Sequence, residues 1–246
     1  MRDINCVSRD ACFARAPRTP VHHVTCCLPI DGAELRARCL ENGPALLLDE
    51  HARERVAQYI DELLLYNEHT NVYSKRAYTH LPFHVHDSLT LGLIIAEASA
   101  KGSAVLDLGS GSGLPSVLIA AVNPSMPVYA IESKSRKTRF LSRVAASLPL
   151  PNYLPLTCNV HEFARSSYFD ADFVTAKAFK PLDEVVPIAE VCLRKRALLH
   201  VPVSEIQVRH LALAESQLYR RGKYIYYRQE VKASRGTSKR TAVRIK

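Results

Sequence analysis

The residues with the clearest chemical potential are Asp107, Gly109, Gly111 and Gly113, followed by Glu132. Glycines at alternate positions let the chain turn tightly and let a ligand lie against bare backbone. Such turns serve dinucleotides, whose pyrophosphate docks on the N-terminus of the following helix. Asp107 points to a different ligand. A carboxylate two residues before the first glycine would oppose a pyrophosphate and suits a ligand carrying ammonium and sulfonium charge. Glu132 is placed to bind a ribose diol, a use that both ligand classes share. The plain alternative for Asp107 is a capping or turn carboxylate.

These residues need a particular frame. The apolar run Ala104 to Leu108 reads as a buried parallel strand. Leu114 to Val122 reads as a helix with Pro115 in its first turn. Val128 to Glu132 is a second strand. Ser133 to Leu148 is a basic amphipathic helix with Lys134, Arg136, Lys137, Arg139 and Arg143, and with Phe140, Leu141 and Val144 facing the sheet. Further strands are expected at 152–157, 172–176 and 197–201, with helices at 183–193 and 203–217. This alternation predicts an α/β fold, a doubly wound sheet with helices on both faces. Asn159 to Phe163 follows the third strand, so it meets the same crevice as the glycine turn.

Upstream, Leu46, Leu47, Val56, Tyr59, Ile60, Leu63 and Leu64 recur at helical spacing, which predicts an N-terminal helical cover. Tyr66 to His80 reads as a loop, and Ser88 to Ala98 as a helix. Asp87 and Ser88 read as that helix's cap, in preference to a His84–Asp87 pair at a site mouth. Residues 1–42 hold Pro17, Pro20 and Pro29 without a steady period, and are expected to be a poorly ordered extension. One domain is expected beyond it, with 43–100 the helical part and 101–246 the core.

The 246 residues are 47% hydrophobic, enough for one sizeable core. A net charge of +9 favours a polyanionic partner. The bias is strongest from Tyr219 onward, where ten Lys and Arg residues face one acid, Glu230. The seven cysteines form no CxxC pair, which argues against a disulfide framework or zinc ribbon. His22-His23 beside Cys26-Cys27 are too close in sequence to close a tetrahedral site, so no metal is expected. No signal peptide or membrane-spanning run is visible, and a cytoplasmic monomer is expected.

Asp107-x-Gly109-x-Gly111-x-Gly113 with Glu132 resembles the S-adenosylmethionine site of class I methyltransferases. The resemblance sharpens with Gly113-Leu114-Pro115, Glu132-Ser133 and Arg139-Phe140-Leu141. Together with Tyr66-Asn67, Asn71-Val72 and His84-Val85-His86-Asp87-Ser88-Leu89, this ordered set resembles the RsmG (GidB) family, from about Val56 to the C-terminus. The resemblance implies a Rossmann-like core, S-adenosylmethionine as cofactor, and 16S ribosomal RNA or the small ribosomal subunit as partner. The implied reaction is methylation of guanine N7 in the decoding-centre loop.

On that reading Asp107, Gly109, Gly111, Gly113, Leu114, Glu132, Val160, His161 and Lys177 bind the cofactor, with Val160 on the adenine ring and the His161 backbone at its edge. His84, Asp87, His200, Arg136, Arg139, Arg235, Lys239 and Arg240 are the candidates for the RNA. Guanine N7 has an in-plane lone pair and no proton, so no catalytic base is expected. The chain departs from the family twice. Lys177 stands where an arginine is usual, and the lysine of a later A-L-K-G segment is absent, with His200 close by. These departures leave two alternatives, a methyltransferase for another base and a non-catalytic RNA-binding or ribosome-assembly protein.

Overall fold

The computed structural model describes residues 31–233 and 240–243. In chain order the strands are β1 (Val105–Leu108), β2 (Val128–Glu132), β3 (Tyr153–Thr157), β4 (Ser167–Phe169), β5 (Phe173–Thr175), β6 (Ala197–Val203), β7 (Leu218–Arg221), β8 (Tyr224–Val231) and β9 (Thr241–Val243). The helices are α1 (Gly32–Leu40), α2 (Glu50–Glu68), α3 (Leu81–Ala98), α4 (Ser116–Val122), α5 (Ser135–Ser147), α6 (Val160–Ser166), α7 (Leu182–Cys192) and α8 (Glu205–His210).

Seven strands form one sheet in the order β3-β2-β1-β5-β6-β8-β7. Only β8 runs against its neighbours β6 and β7. The chain winds outward from β1 to β3, then returns to the other side of β1 as β5. That reversal opens a crevice beyond the carboxyl ends of β1 and β5, where ligands collect in such sheets. This is the expected Rossmann-like α/β architecture. One apolar cluster joins α1–α5 to Val105, Val128, Phe173 and Tyr226 on one face. The other joins α6 and α7 to Leu106, Leu108, Val174 and Leu199. Alternate strand residues supply the two faces, as a sheet covered on both sides requires.

The N-terminal cover differs from expectation in several places. Residues 1–30 of the expected extension lie outside the described residues. Residues 32–40, read as part of it, form α1, capped by Asp31, whose carboxylate accepts from the Ala33 N–H at 3.0 Å. Leu35 and Cys39 are fully buried against the cover. The helix is too short for its apolar period to stand out between Arg36 and Arg38. Leu46 and Leu47 precede α2 in a short 3-10 turn and are exposed, so only Val56, Tyr59, Ile60 and Leu63 of the stripe enter the core.

The largest correction concerns α3, which starts at Leu81 with Pro82 in its first turn. Asp87 and Ser88 are therefore inside the helix. Ser88 bonds its own helix, donating to the His84 carbonyl at 2.7 Å, and Asp87 is buried. The apolar i, i+4 series Leu81, Val85 and Leu89 sets the helix, and it outweighs the local cap signal. The segment expected as a loop is organised by Asn67, fully buried near the end of α2. Its amide donates to the Tyr73 carbonyl and the Tyr78 hydroxyl, and its oxygen accepts from Val72 and Tyr73.

Beyond β6 the expected helix 203–217 is only α8, Glu205–His210, held by a Ser204–Gln207 capping box. The last segment, 241–243, pairs with β4 in a separate two-stranded sheet. Arg240 just before it is half-buried. Its guanidinium donates to the Ala164 and Val191 carbonyls at 3.1 and 2.6 Å, tying α6 to α7. Arg235 and Lys239 lie outside the described residues.

Candidate cofactor and acceptor site

The glycine turn leaves β1 under close control. Gly109 and Ser110 both donate to the Ile131 carbonyl, at 2.9 and 3.0 Å. The Tyr59 hydroxyl of α2 donates to the Ser112 carbonyl at 2.8 Å. Gly109 has φ +72° and Gly113 φ +92°, conformations that other residues adopt only with strain. At Gly109 a Cβ would lie 2.2 Å from the Phe179 ring. At Gly113 it would lie 2.6 Å from the buried Val117 side chain. The first therefore clears a ligand wall and the second allows helix packing. Gly113, expected to touch cofactor, lines none of the described cavities.

Glu132 closes β2. Its two oxygens accept from the Gly111 and Lys134 N–H groups at 3.0 and 2.8 Å. Each oxygen retains a second lone pair, so the carboxylate is fixed yet still able to take a diol. A cavity of about 380 Å³ lies before it, lined among others by Gly109, Glu132, Val160, His161 and Phe179. A second cavity, about 220 Å³, shares Gly109, Lys137 and Ala178 with the first and reaches Leu114, His84 and Lys177. A third, about 400 Å³, shares His84, Lys177 and Ala178 with the second, and includes Asp87. The three cavities thus run in sequence along the carboxyl edge of the sheet.

Seven of the nine expected cofactor residues line this run: Gly109, Gly111, Leu114, Glu132, Val160, His161 and Lys177. Asp107 does not. It is fully buried beneath the turn, and neither carboxylate oxygen has a hydrogen-bond partner among the described residues. Burial pushes its pKa up to about 6, a rise opposed by the Lys177 charge. Such a carboxylate acts on a cationic ligand through its field across the turn.

Lys177 leaves the end of β5 and its ammonium donates to Asp87 Oδ2 at 2.5 Å. Asp87 is buried and Lys177 largely so, with 6% and 14% of their side chains exposed. Sequence reading separated them, giving Lys177 to the cofactor and Asp87 to a cap or to the RNA. The fold joins them across the junction of the second and third cavities. Ala178 follows at φ +50°, and this strained turn sends Lys177 inward while Phe179 covers Gly109. Burial, then the Lys177 charge, pushes the His84 pKa down to about 4, so its imidazole is neutral at pH 7.

His200 is not at the site mouth. It is 1% exposed in β6, beside Thr175 and opposite Arg228, and its Nδ1 has no partner among the described residues. Burial, then Arg228, lowers its pKa to about 4. An unfolded histidine takes a proton near pH 6.5 and the folded one does not. Its stabilising contribution is therefore complete above pH 6.5 and is lost as pH falls towards 4. Asp107 has the opposite sign, its folded form holding a proton up to about pH 6. Denaturant unfolding should show the stability gap between wild type and His200→Leu changing by up to about 1.4 kcal/mol per pH unit between about pH 4.5 and 6, and levelling off by pH 7. A gap independent of pH would show that His200 is solvated.

Arg136 and Arg139 are exposed on α5 but line no cavity. Lys137 on the same helix lines the first two cavities. Of this helix's cations only Arg143 is ion-paired among the described residues, to Glu62 at 2.7 Å. Sequence reading counted Lys137 in the helix but missed its place at the ligand. Its three-residue spacing from Lys134, which lines the first cavity, was the available signal. Phe83, Lys223 and Tyr224, which line the third cavity, were missed too. Their sequence distance of 140 residues hid their proximity. Among the described residues no three His, Cys, Asp or Glu side chains gather to hold a metal.

The family model for rRNA small subunit methyltransferase G, GidB, matches residues 52–212. The chain belongs to the GidB family. Relatives include Ribosomal RNA small subunit methyltransferase G of Novosphingobium aromaticivorans, 32% identical over 58% of this chain and 61% of that protein. The protein of that name from Nitrosococcus oceani is 32% identical over 65% of this chain and 73% of that one. A methyltransferase structure from Geobacter sulfurreducens superposes with a TM-score of 0.47 and 17% identity, covering 73% of this chain and 89% of that chain. The GidB match includes α2 to α8, and therefore the glycine turn, Glu132, the Asp87–Lys177 pair and His200.

S-adenosylmethionine fits the donor set. Glu132 would offer oxygens to a diol, Val160 an apolar wall, and Gly111 open backbone. The buried, partnerless oxygens of Asp107 provide negative potential for its ammonium and sulfonium groups.

Proposed function

We propose that this GidB chain methylates N7 of a guanine in the decoding-centre loop of 16S ribosomal RNA, using S-adenosylmethionine, in the cytoplasm. The observation that carries this reading is the junction at His84 and Lys177. There the run of cofactor cavities opens into a further cavity, and neither side chain is poised as a base. The Lys177 ammonium is engaged by Asp87, and His84 is neutral.

The cofactor supplies an electrophilic methyl group on a sulfonium. The N7 lone pair forms the new bond to that carbon, and the broken carbon–sulfur pair returns to sulfur. No proton moves, and the base takes over the positive charge. The chain's task is therefore alignment and exclusion of water. Glu132 and the glycine turn fix one reactant. A neutral His84 leaves N7 unprotonated, and the Asp107 carboxylate offsets positive charge on either side of the transfer. The lysine at 177 keeps the positive charge of the family's arginine, and its pairing with Asp87 does not need a planar fork.

Expression in a bacterial strain lacking its own GidB protein tests the reading. Wild-type chain should restore 7-methylguanosine at the decoding-centre loop, and Gly109→Asp should not. Failure of the well-expressed wild-type chain to restore it would contradict the proposal.

A further inference from the structure

The third cavity has a composition that cofactor binding does not explain. Phe83 and Tyr224 form one wall, their ring centroids 5.6 Å apart and tilted by 45°. Phe83 is 45% exposed at the first turn of α3, although a large apolar ring gains nothing from water there. The Lys223 ammonium sits over both rings, 5.7 Å from Phe83 and 5.5 Å from Tyr224. Pro202, Val203 and Ile225 add apolar surface, and Gln207 lies among the polar lining groups. The cavity meets the cofactor run at His84, Lys177 and Ala178.

An exposed aromatic face beside a cation fits a ligand with its own π-face and an attached anion. A nucleotide offers both, whereas an aliphatic ligand would leave Lys223 unmatched. An extruded base commonly stacks on aromatic side chains while its backbone is held by cations. We propose that the exposed Phe83 ring, backed by the buried Tyr224 ring, is the stacking platform for the acceptor base, and that Lys223 holds the adjoining phosphate. This rests on the RNA-methyltransferase reading and adds residues that determine which nucleotide can enter. The cavity that would hold the base shares His84, Lys177 and Ala178 with the cavity leading to the glycine turn. Gln207 keeps its Nε2 available, because its Oε1 is the atom that caps Ser204.

Methyl transfer to small-subunit particles lacking the 7-methylguanosine tests this. Phe83→Ala should lower kcat/KM for the particle about tenfold or more, as loss of one stacking partner does. Its S-adenosylmethionine affinity should be unchanged, and Phe83→Tyr, which keeps the ring, should restore transfer. Lys223→Ala should raise KM for the particle and reduce the salt slope of binding by about one. Wild-type transfer with unaltered kcat/KM in Phe83→Ala would overturn the platform while leaving the methyltransferase reading intact. Equal losses in Phe83→Ala and Phe83→Tyr would assign Phe83 a structural role and overturn it too. Cofactor binding by wild type without any transfer would overturn the methyltransferase reading and the platform with it.

Discussion

Replacing Asp87 with leucine is expected to destabilise the fold by about 3–5 kcal/mol, and Lys177→Met by a similar amount. Each change strands the other charge in a buried place. Asp87 Oδ2 and Lys177 Nζ are 2.5 Å apart with little of either side chain exposed. The Asp87 backbone carbonyl also accepts from the Tyr226 hydroxyl at 2.9 Å, so α3, β5 and β8 meet at this point. The double variant Asp87→Leu, Lys177→Met removes both charges and should recover most of the lost stability, because buried ion pairs are rarely better than apolar packing. It should still transfer poorly, since the junction of the cavities has lost its polar groups. Chemical denaturation of the four proteins reads the cycle. Single losses below 1 kcal/mol, or strictly additive ones, would mean that the pair is solvated.

Gly109→Ala and Gly113→Ala should fail in different ways. At Gly109 the added Cβ lands on Phe179, a half-buried ring that lines the first cavity. The ring has to move into ligand space, and the positive φ adds about 1–2 kcal/mol of strain. S-adenosylmethionine affinity is expected to fall at least tenfold with modest loss of stability. At Gly113 the Cβ meets Val117 and Leu141 in the closed core. Overpacking and strain there should together cost about 2–4 kcal/mol of stability. Gly111→Ala meets nothing nearer than 3.7 Å and should be the mildest for folding. Calorimetric titration with unfolding curves separates these outcomes. Unchanged affinity in Gly109→Ala would remove the turn from the cofactor site.

Much of this was legible in the chain because local chemistry decided it. The strand, glycine turn and helix around Asp107 are set by apolar runs and by glycines at positions of positive φ. Glu132 is placed by the length of the second strand. What escaped depends on contacts distant in sequence. Lys177 and Asp87 are brought together by sheet order, and no spacing rule predicts that pair. Asp87-Ser88 has the chemistry of a cap, but tertiary packing of Leu81 and Val85 carried the helix through it.

Several cations of the basic C-terminal segment are engaged within the fold. Its acids lie elsewhere in the sequence. Arg220 pairs with Glu205 and Glu215, and Arg221 with Glu97. Arg228 lies over the Tyr219 ring, and Arg240 serves two carbonyls. Among the described residues the cations left nearest the site are Lys134 just before α5, Lys137 on it, and Lys223 over Phe83.

The most direct measurement is transfer from methyl-labelled S-adenosylmethionine to naked 16S RNA and to small-subunit particles, both from a strain lacking the modification. The RNA is then digested to nucleosides and the labelled position mapped. The account predicts up to one labelled methyl per RNA or particle, recovered as 7-methylguanosine from the decoding-centre loop. Tight cofactor binding without transfer to either substrate, or label on another base, would contradict it.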